Sequence, residues 1–127
     1  MVGHPGNFRA ATMAIEALDL ALARLLPAID AAGGVALITA DHGNADEMFE
    51  LDKKTKQPAL NKDGSFKAKT AHTLNPVPLI LYDNVIGGKL GLTPSPTAGL
   101  SNIAATVANL IGLEKHDKWD ESVLEVK

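Results

Sequence analysis

Three of the four histidines in this 127-residue chain stand in company that suits imidazole chemistry. His42 directly follows Asp41 in Asp41-His42-Gly43-Asn44, straight after the apolar run Val35-Ala36-Leu37-Ile38-Thr39-Ala40. His72 lies in Thr70-Ala71-His72-Thr73, shortly before a second apolar run, and His4 sits in a glycine-flanked turn before a long helical pattern. A carboxylate with several imidazoles is a donor set for Mn2+ or Zn2+, whereas Mg2+ prefers more oxygen. Single residues of these types also have plainer uses. A His-Gly pair in a loop is often only polar surface near a turn, and an Asp after a strand often caps a helix. The spacing alone leaves the metal and structural readings both open.

The elements that must position these groups read as α/β. From about Asn7 to Ala32, Phe8, Ala11, Ile15, Leu18, Leu22, Leu25 and Ile29 recur at steps of three and four, which places them on one helical face. Asn7 is suited to cap the start, and Gly33-Gly34 ends the pattern. Pro27 should kink or restart the helix, because proline removes a donor and crowds the preceding turn. Val35 to Ala40 reads as a buried strand, and Val77 to Asp83 as a second, with Pro76 and Pro78 confined to its entrance. Ligands of open α/β sheets collect at the carboxyl ends of strands, where Asp41 and His42 fall. A brief helix is expected over Ala45 to Leu51, and an exposed hairpin or loop over Asp52 to Thr70, turning at Lys62-Asp63-Gly64-Ser65. Gly87 to Gly99 reads as a Gly/Pro-rich loop. Ser101 should cap a helix from Asn102 to Ile111, closed by Gly112, and Trp119, Val123 and Leu124 are available to dock the polar tail.

Composition narrows the function classes. The formal charge of −3 gives no electrostatic case for nucleic acid, whose backbone calls for a basic surface. With no cysteine, disulfides and thiolate metal sites are excluded. No signal segment and no apolar run of about 20 residues is visible, so a soluble cytoplasmic protein is the expectation. Apolar residues make up 46% of the chain, enough for the core of one compact domain.

Four blocks of the sequence resemble the cofactor-independent phosphoglycerate mutases: Met1-Val2-Gly3-His4, Ile38 to Met48 (ITADHGNADEM), Lys69 to Pro78 (KTAHTLNPVP) and Leu100 to Ala104 (LSNIA). They occur in that family's order and cover the chain almost end to end. Asp-His-Gly alone indicates only the wider alkaline phosphatase superfamily; His-Thr-Leu-Asn-Pro-Val-Pro is what points to the mutases.

The resemblance implies residues 1–127 are the carboxy-terminal segment of an alkaline phosphatase-like domain, a partial sheet flanked by helices, without the inserted substrate-binding domain. It implies two divalent ions, Mn2+ above all. His4 and His72 would bind one ion with an aspartate; Asp41 and His42 would bind the other with a second aspartate and a nucleophilic serine. Such a site passes a phosphoryl group to the serine and back, interconverting 3- and 2-phosphoglycerate; the family implies a monomer when intact.

The expected metal aspartate directly before Met1, the serine and the second aspartate have no counterpart in these residues. Ser65, Ser95, Ser101 and Ser122 all read as turn, cap or tail residues. The chain alone is therefore expected to be inactive, to bind divalent metal weakly and to be poorly soluble. Six lysines between Lys53 and Lys69 read better as a solvated edge than as an anion-attracting rim. Asp46 and Glu47 suit either partners that orient His42 or first-turn helix acids. Two other readings remain: another alkaline phosphatase superfamily enzyme, such as a phosphatase or phosphopentomutase, and a non-catalytic metal-binding module.

Overall fold

The computed structural model describes residues 6–93 and 95–127. The element order is α1 (Phe8–Ala31), β1 (Ala36–Thr39), β2 (Leu79–Tyr82), β3 (Leu90–Leu92), a 3-10 turn at Leu100–Asn102, α2 (Ile103–Leu110) and β4 (Leu124–Val126). The chain forms two compact units, one of residues 1–24 and 42–77, the other of residues 25–41 and 78–127.

Helix α1 starts and stops where its sequence says it should. The Asn7 side chain accepts the Ala10 N–H at 3.1 Å, a side-chain cap on an otherwise unpaired first-turn donor. At the other end Gly33 adopts φ +67°. Gly33 N–H bonds the Asp30 carbonyl and Gly34 N–H the Ile29 carbonyl, both at 2.9 Å, the paired closure that a left-handed glycine allows. Pro27 does not restart the helix, which runs as one element from Phe8 to Ala31. Of the expected apolar face only Ala11 is fully buried; Phe8, Ile15, Leu18 and Leu25 are all more than half exposed. The periodicity was that of a helix built to be covered, and among the described residues little covers it.

In the second unit β1 and β2 pair antiparallel, Ala36 opposite Tyr82 and Thr39 opposite Leu79. Both are shorter than their apolar runs, and neither is fully buried, Ile80 being 51% exposed. Asp30, Tyr82 and Asn84 lock the end of α1 to this ribbon. The Tyr82 hydroxyl donates to Asp30 Oδ2 at 2.7 Å, and the Asn84 amide donates to Asp30 Oδ2 at 3.1 Å and to the Tyr82 oxygen at 2.8 Å. The contact with Asp30, followed by burial, holds the Tyr82 phenol above its ordinary range. Asp83 closes β2 as a turn residue, its carboxylate accepting the N–H groups of Val85 and Ile86.

Two strands arise where the sequence read as loop and tail. β3 pairs antiparallel with β4, Leu90 opposite Val126 and Leu92 opposite Leu124. α2 supplies the anchor for that pair. Thr106 is fully buried; its hydroxyl donates to the Asn102 carbonyl at 2.8 Å and accepts the Val123 N–H at 3.1 Å. Ser101 is not the cap; it lies inside the 3-10 turn. Asn102 stands at the cap position without a side-chain bond to the helix; its side chain accepts the Gly99 N–H and donates to the Glu121 carbonyl. Gly112, at φ +77°, closes α2 with the same paired bonds that close α1.

In the first unit the stretch from Met48 to Lys69 is neither a helix nor a single hairpin. Three extended segments each pair with the other two: Glu50 N–H bonds the Lys67 carbonyl, Lys67 N–H the Ala59 carbonyl, and Ala59 N–H the Glu50 carbonyl, at 2.7 to 2.9 Å. Asp52 and Asp63 shape the two turns between them, each carboxylate accepting backbone N–H groups two or three residues ahead. Phe49 lies between Phe8 and Phe66, with ring centroids 5.9 and 5.2 Å away, and Met48 is buried beside it in sequence. Ala45 and Asp46 form a turn rather than the start of a helix, since the chain from Met48 onward is committed to these pairings.

Candidate metal-binding site

β1 delivers the chain to Asp41 and His42 at its carboxyl end, as the apolar run predicts. Asp41 is exposed and ends the first stretch of the second unit; His42 is half-buried and begins the 42–77 stretch of the first. The His42 and His72 rings stack with centroids 3.6 Å apart and planes 12° from parallel. His4 lies outside the described residues.

The pairing is set by the loops that carry the rings. Gly43 and Thr73, the residues after each histidine, form an antiparallel bridge in which Thr73 N–H bonds the Gly43 carbonyl at 2.9 Å. Gly43 is buried, and a Cβ there would collide with the Thr73 hydroxyl and stand 2.8 Å from Asp46 Oδ1. Only glycine allows the loops to come this close. Before His72, the Asn44 amide reaches the Ala71 carbonyl at 3.4 Å.

Asp46 and Glu47 hold the opposite loop. Asp46 Oδ2 accepts the Thr73 hydroxyl at 2.8 Å and the Asn75 amide at 2.6 Å. Glu47 accepts the same Asn75 amide at 3.0 Å and pairs with Lys69. The Thr73 hydroxyl, then the Asn75 amide, keeps the Asp46 carboxyl below its ordinary range, and Lys69 does the same for Glu47. Lys67 pairs with Glu50 at 2.6 Å. Lys67 and Lys69, of the six lysines between Lys53 and Lys69, are thus paired with carboxylates.

Whether these residues suit a divalent ion can be judged from His42. Its Nδ1 lies 3.1 Å from the Gly43 carbonyl. An N–H donated there puts the ring's lone pair on Nε2, one of the two ring nitrogens through which histidine binds metals. The donors fit Mn2+, Co2+ or Zn2+ in kind. They do not make a closed site: among the described residues no three His, Cys, Asp or Glu side chains converge to hold an ion.

Known proteins match this chain over nearly its whole length. Residues 1–115 match the model of the Metalloenzyme superfamily. A 2,3-bisphosphoglycerate-independent phosphoglycerate mutase of Mesembryanthemum crystallinum is 45% identical over 99% of the chain, and one of Trypanosoma brucei brucei 43% identical over the same share. A crystal structure of Leishmania mexicana phosphoglycerate mutase at low cobalt concentration superposes with a TM-score of 0.90 at 38% identity, covering 99% of this chain. The chain spans only 22 to 23% of the length of these proteins.

Proposed function

We propose that this chain, which belongs to the Metalloenzyme superfamily, supplies part of the two-metal site of a 2,3-bisphosphoglycerate-independent phosphoglycerate mutase, with His4, Asp41, His42 and His72 as ligands. The observation that carries the reading is the His42–His72 stack, since two loops meet to put imidazoles 3.6 Å apart. Its weight comes from the sequence around those rings, aligned along almost its full length with phosphoglycerate mutases. Two ions, Mn2+ above all, would serve the site. One neighbouring pair of ions suits phosphoryl transfer because both can neutralise charge on the phosphoryl oxygens while activating an attacking hydroxyl.

The part played by this chain's residues is narrower. An N–H from His42 Nδ1 to the Gly43 carbonyl would leave Nε2 for an ion, and the Gly43–Thr73 bridge sets the approach of the two histidine loops. The phosphoglycerate substrate, the serine nucleophile and the remaining carboxylate ligands belong to the whole mutase.

Mixing the chain with the amino-terminal portion of a phosphoglycerate mutase tests the reading. Mn2+-dependent interconversion of 3- and 2-phosphoglycerate, absent from either part alone and abolished by His42→Ala, is the expected result. Failure to restore turnover, with a tight two-ion site in the chain by itself, would favour an independent metal-binding module instead.

A further inference from the structure

We propose that Asp46 is a positioning residue: its carboxylate is the keystone of a clasp that holds the His72 loop against the His42 loop, so the two imidazoles face each other before any metal arrives. The proposal rests on the reading of those histidines as ligands, and extends it to residues that touch no metal.

Each histidine is followed by the residue that joins the loops. Thr73 is held twice, by its N–H on the Gly43 carbonyl at 2.9 Å and by its hydroxyl on Asp46 Oδ2 at 2.8 Å. One backbone bond would leave Thr73 free to pivot; a second bond from the side chain removes that freedom, and with it the freedom of His72. Asp46 Oδ2 also takes the Asn75 amide at 2.6 Å, so the loop is pinned beyond His72 by two side chains on one oxygen. Glu47 reinforces the outer end through Asn75 and Lys69. Hydrogen bonds to a carboxylate are shorter and stronger than neutral ones, and Asp46 Oδ2 takes two of them from the His72 loop. Gly43 completes the clasp by leaving out the side chain that would fill the space of the Thr73 hydroxyl.

The distinction from plain structural support lies in what the conservative variant keeps. Asp46→Asn retains a carbonyl oxygen able to accept both bonds; Asp46→Ala retains none. In the metal-free chain, nuclear Overhauser contacts between the His42 and His72 rings should persist in wild type and Asp46→Asn and vanish in Asp46→Ala. The Thr73 amide should exchange about 10–100-fold faster in Asp46→Ala, the range expected for losing a hydrogen bond to a charged group. If Asp46→Ala does not fold, Thr73→Val gives the same test, since it removes the hydroxyl and keeps the N–H, with Thr73→Ser as the variant that should retain the contacts.

Ring contacts and Thr73 protection unchanged in Asp46→Ala, or lost equally in Asp46→Asn, would overturn the proposal. Addition of Mn2+ separates this result from the metal reading. Paramagnetic broadening of both histidines should follow if they are ligands. A wild-type chain whose histidines ignore Mn2+, but whose rings separate in Asp46→Ala, would leave the clasp standing and remove the metal assignment.

Discussion

Replacing Thr106 with valine tests the packing that ties α2 to the carboxy-terminal strand. Thr106 is fully buried, and its hydroxyl is the acceptor for the Val123 N–H, itself on a residue only 8% exposed. Valine matches threonine in shape but cannot accept a bond, so the Val123 N–H is left in the core without its partner. An orphaned buried donor costs roughly 1–3 kcal/mol. Serine keeps the hydroxyl and loses one methyl, which costs about 1 kcal/mol with the small void it leaves. Thr106→Val should therefore destabilise by about 2 kcal/mol, lowering the urea midpoint by about 1 M for a slope near 2 kcal/mol/M, and Thr106→Ser by about half as much. If apolar burial dominated instead, the order would reverse, because serine deletes more buried carbon than valine. Equilibrium urea unfolding of the three proteins decides it. Thr106→Val as stable as Thr106→Ser, or more so, would refute the assignment of this hydroxyl as the anchor of β4.

Gly43→Ala should weaken the bridge between the histidine loops by about 1–3 kcal/mol, the usual cost of overpacking, read as faster exchange of the Thr73 amide; unchanged protection would show that the loops tolerate a side chain there. Asp46, Glu47, Asp52 and Asp63, all in the first unit, have carboxyls held below their ordinary range by hydrogen bonds from Thr73, Lys69, Thr55 and Ser65 respectively. Depressed folded values mean that this stabilisation is complete above the unfolded carboxyl range, about pH 4 to 4.5, and is lost as pH falls through the folded values. Amide protection over residues 43–73 should thus fall as pH drops below about 4, while α2 protection changes less; an equal fall in both would contradict it. Tyr82, the sole tyrosine, shifts the other way. Its contribution is complete below the unfolded phenol value of about 10 and is lost as pH rises through the higher folded value. Ultraviolet titration should find this phenol ionising above the ordinary range, and an ordinary titration would remove the bond to Asp30 from the account.

Much of the fold was legible because it is local. The three-and-four spacing of α1, its Asn7 start and its Gly33-Gly34 stop are all written within one helix turn of where they act. The apolar runs at Val35 and Val77 marked both β1 and β2. What escaped depends on distant partners. β3 is Leu90-Gly91-Leu92, three residues in a glycine-rich stretch, and becomes a strand only because β4, more than thirty residues on, pairs with it. The segments between Met48 and Lys69 pair through single bridges, too short to impose alternation on the sequence. Pro27 passed through α1 without ending it, so its local penalty was outweighed by the helix on either side.

The site shows the same division. Asp41, His42 and His72 announce themselves by residue type and neighbours, and the stack of the two rings goes with the bridge between the residues that follow them. The use made of Asp46 and Glu47 was not readable, since their partners Thr73 and Asn75 are 27 to 29 residues away. The sequence offered His42 or the first turn of a helix as their role, and the bonds they make reach the opposite loop. Asn44 offered a comparable hint, its amide crossing to Ala71 on the same loop.

His42 and His72 are proposed here as ligands of a pair of divalent ions. Crystals of a phosphoglycerate mutase polypeptide that carries this segment, grown with Mn2+ and measured by anomalous diffraction at the manganese edge, test this assignment directly. Two anomalous peaks are predicted, one within coordination distance of His42 and Asp41, the other of His72 and His4. Peaks remote from both stacked rings, or a single ion held without either histidine, would contradict the account.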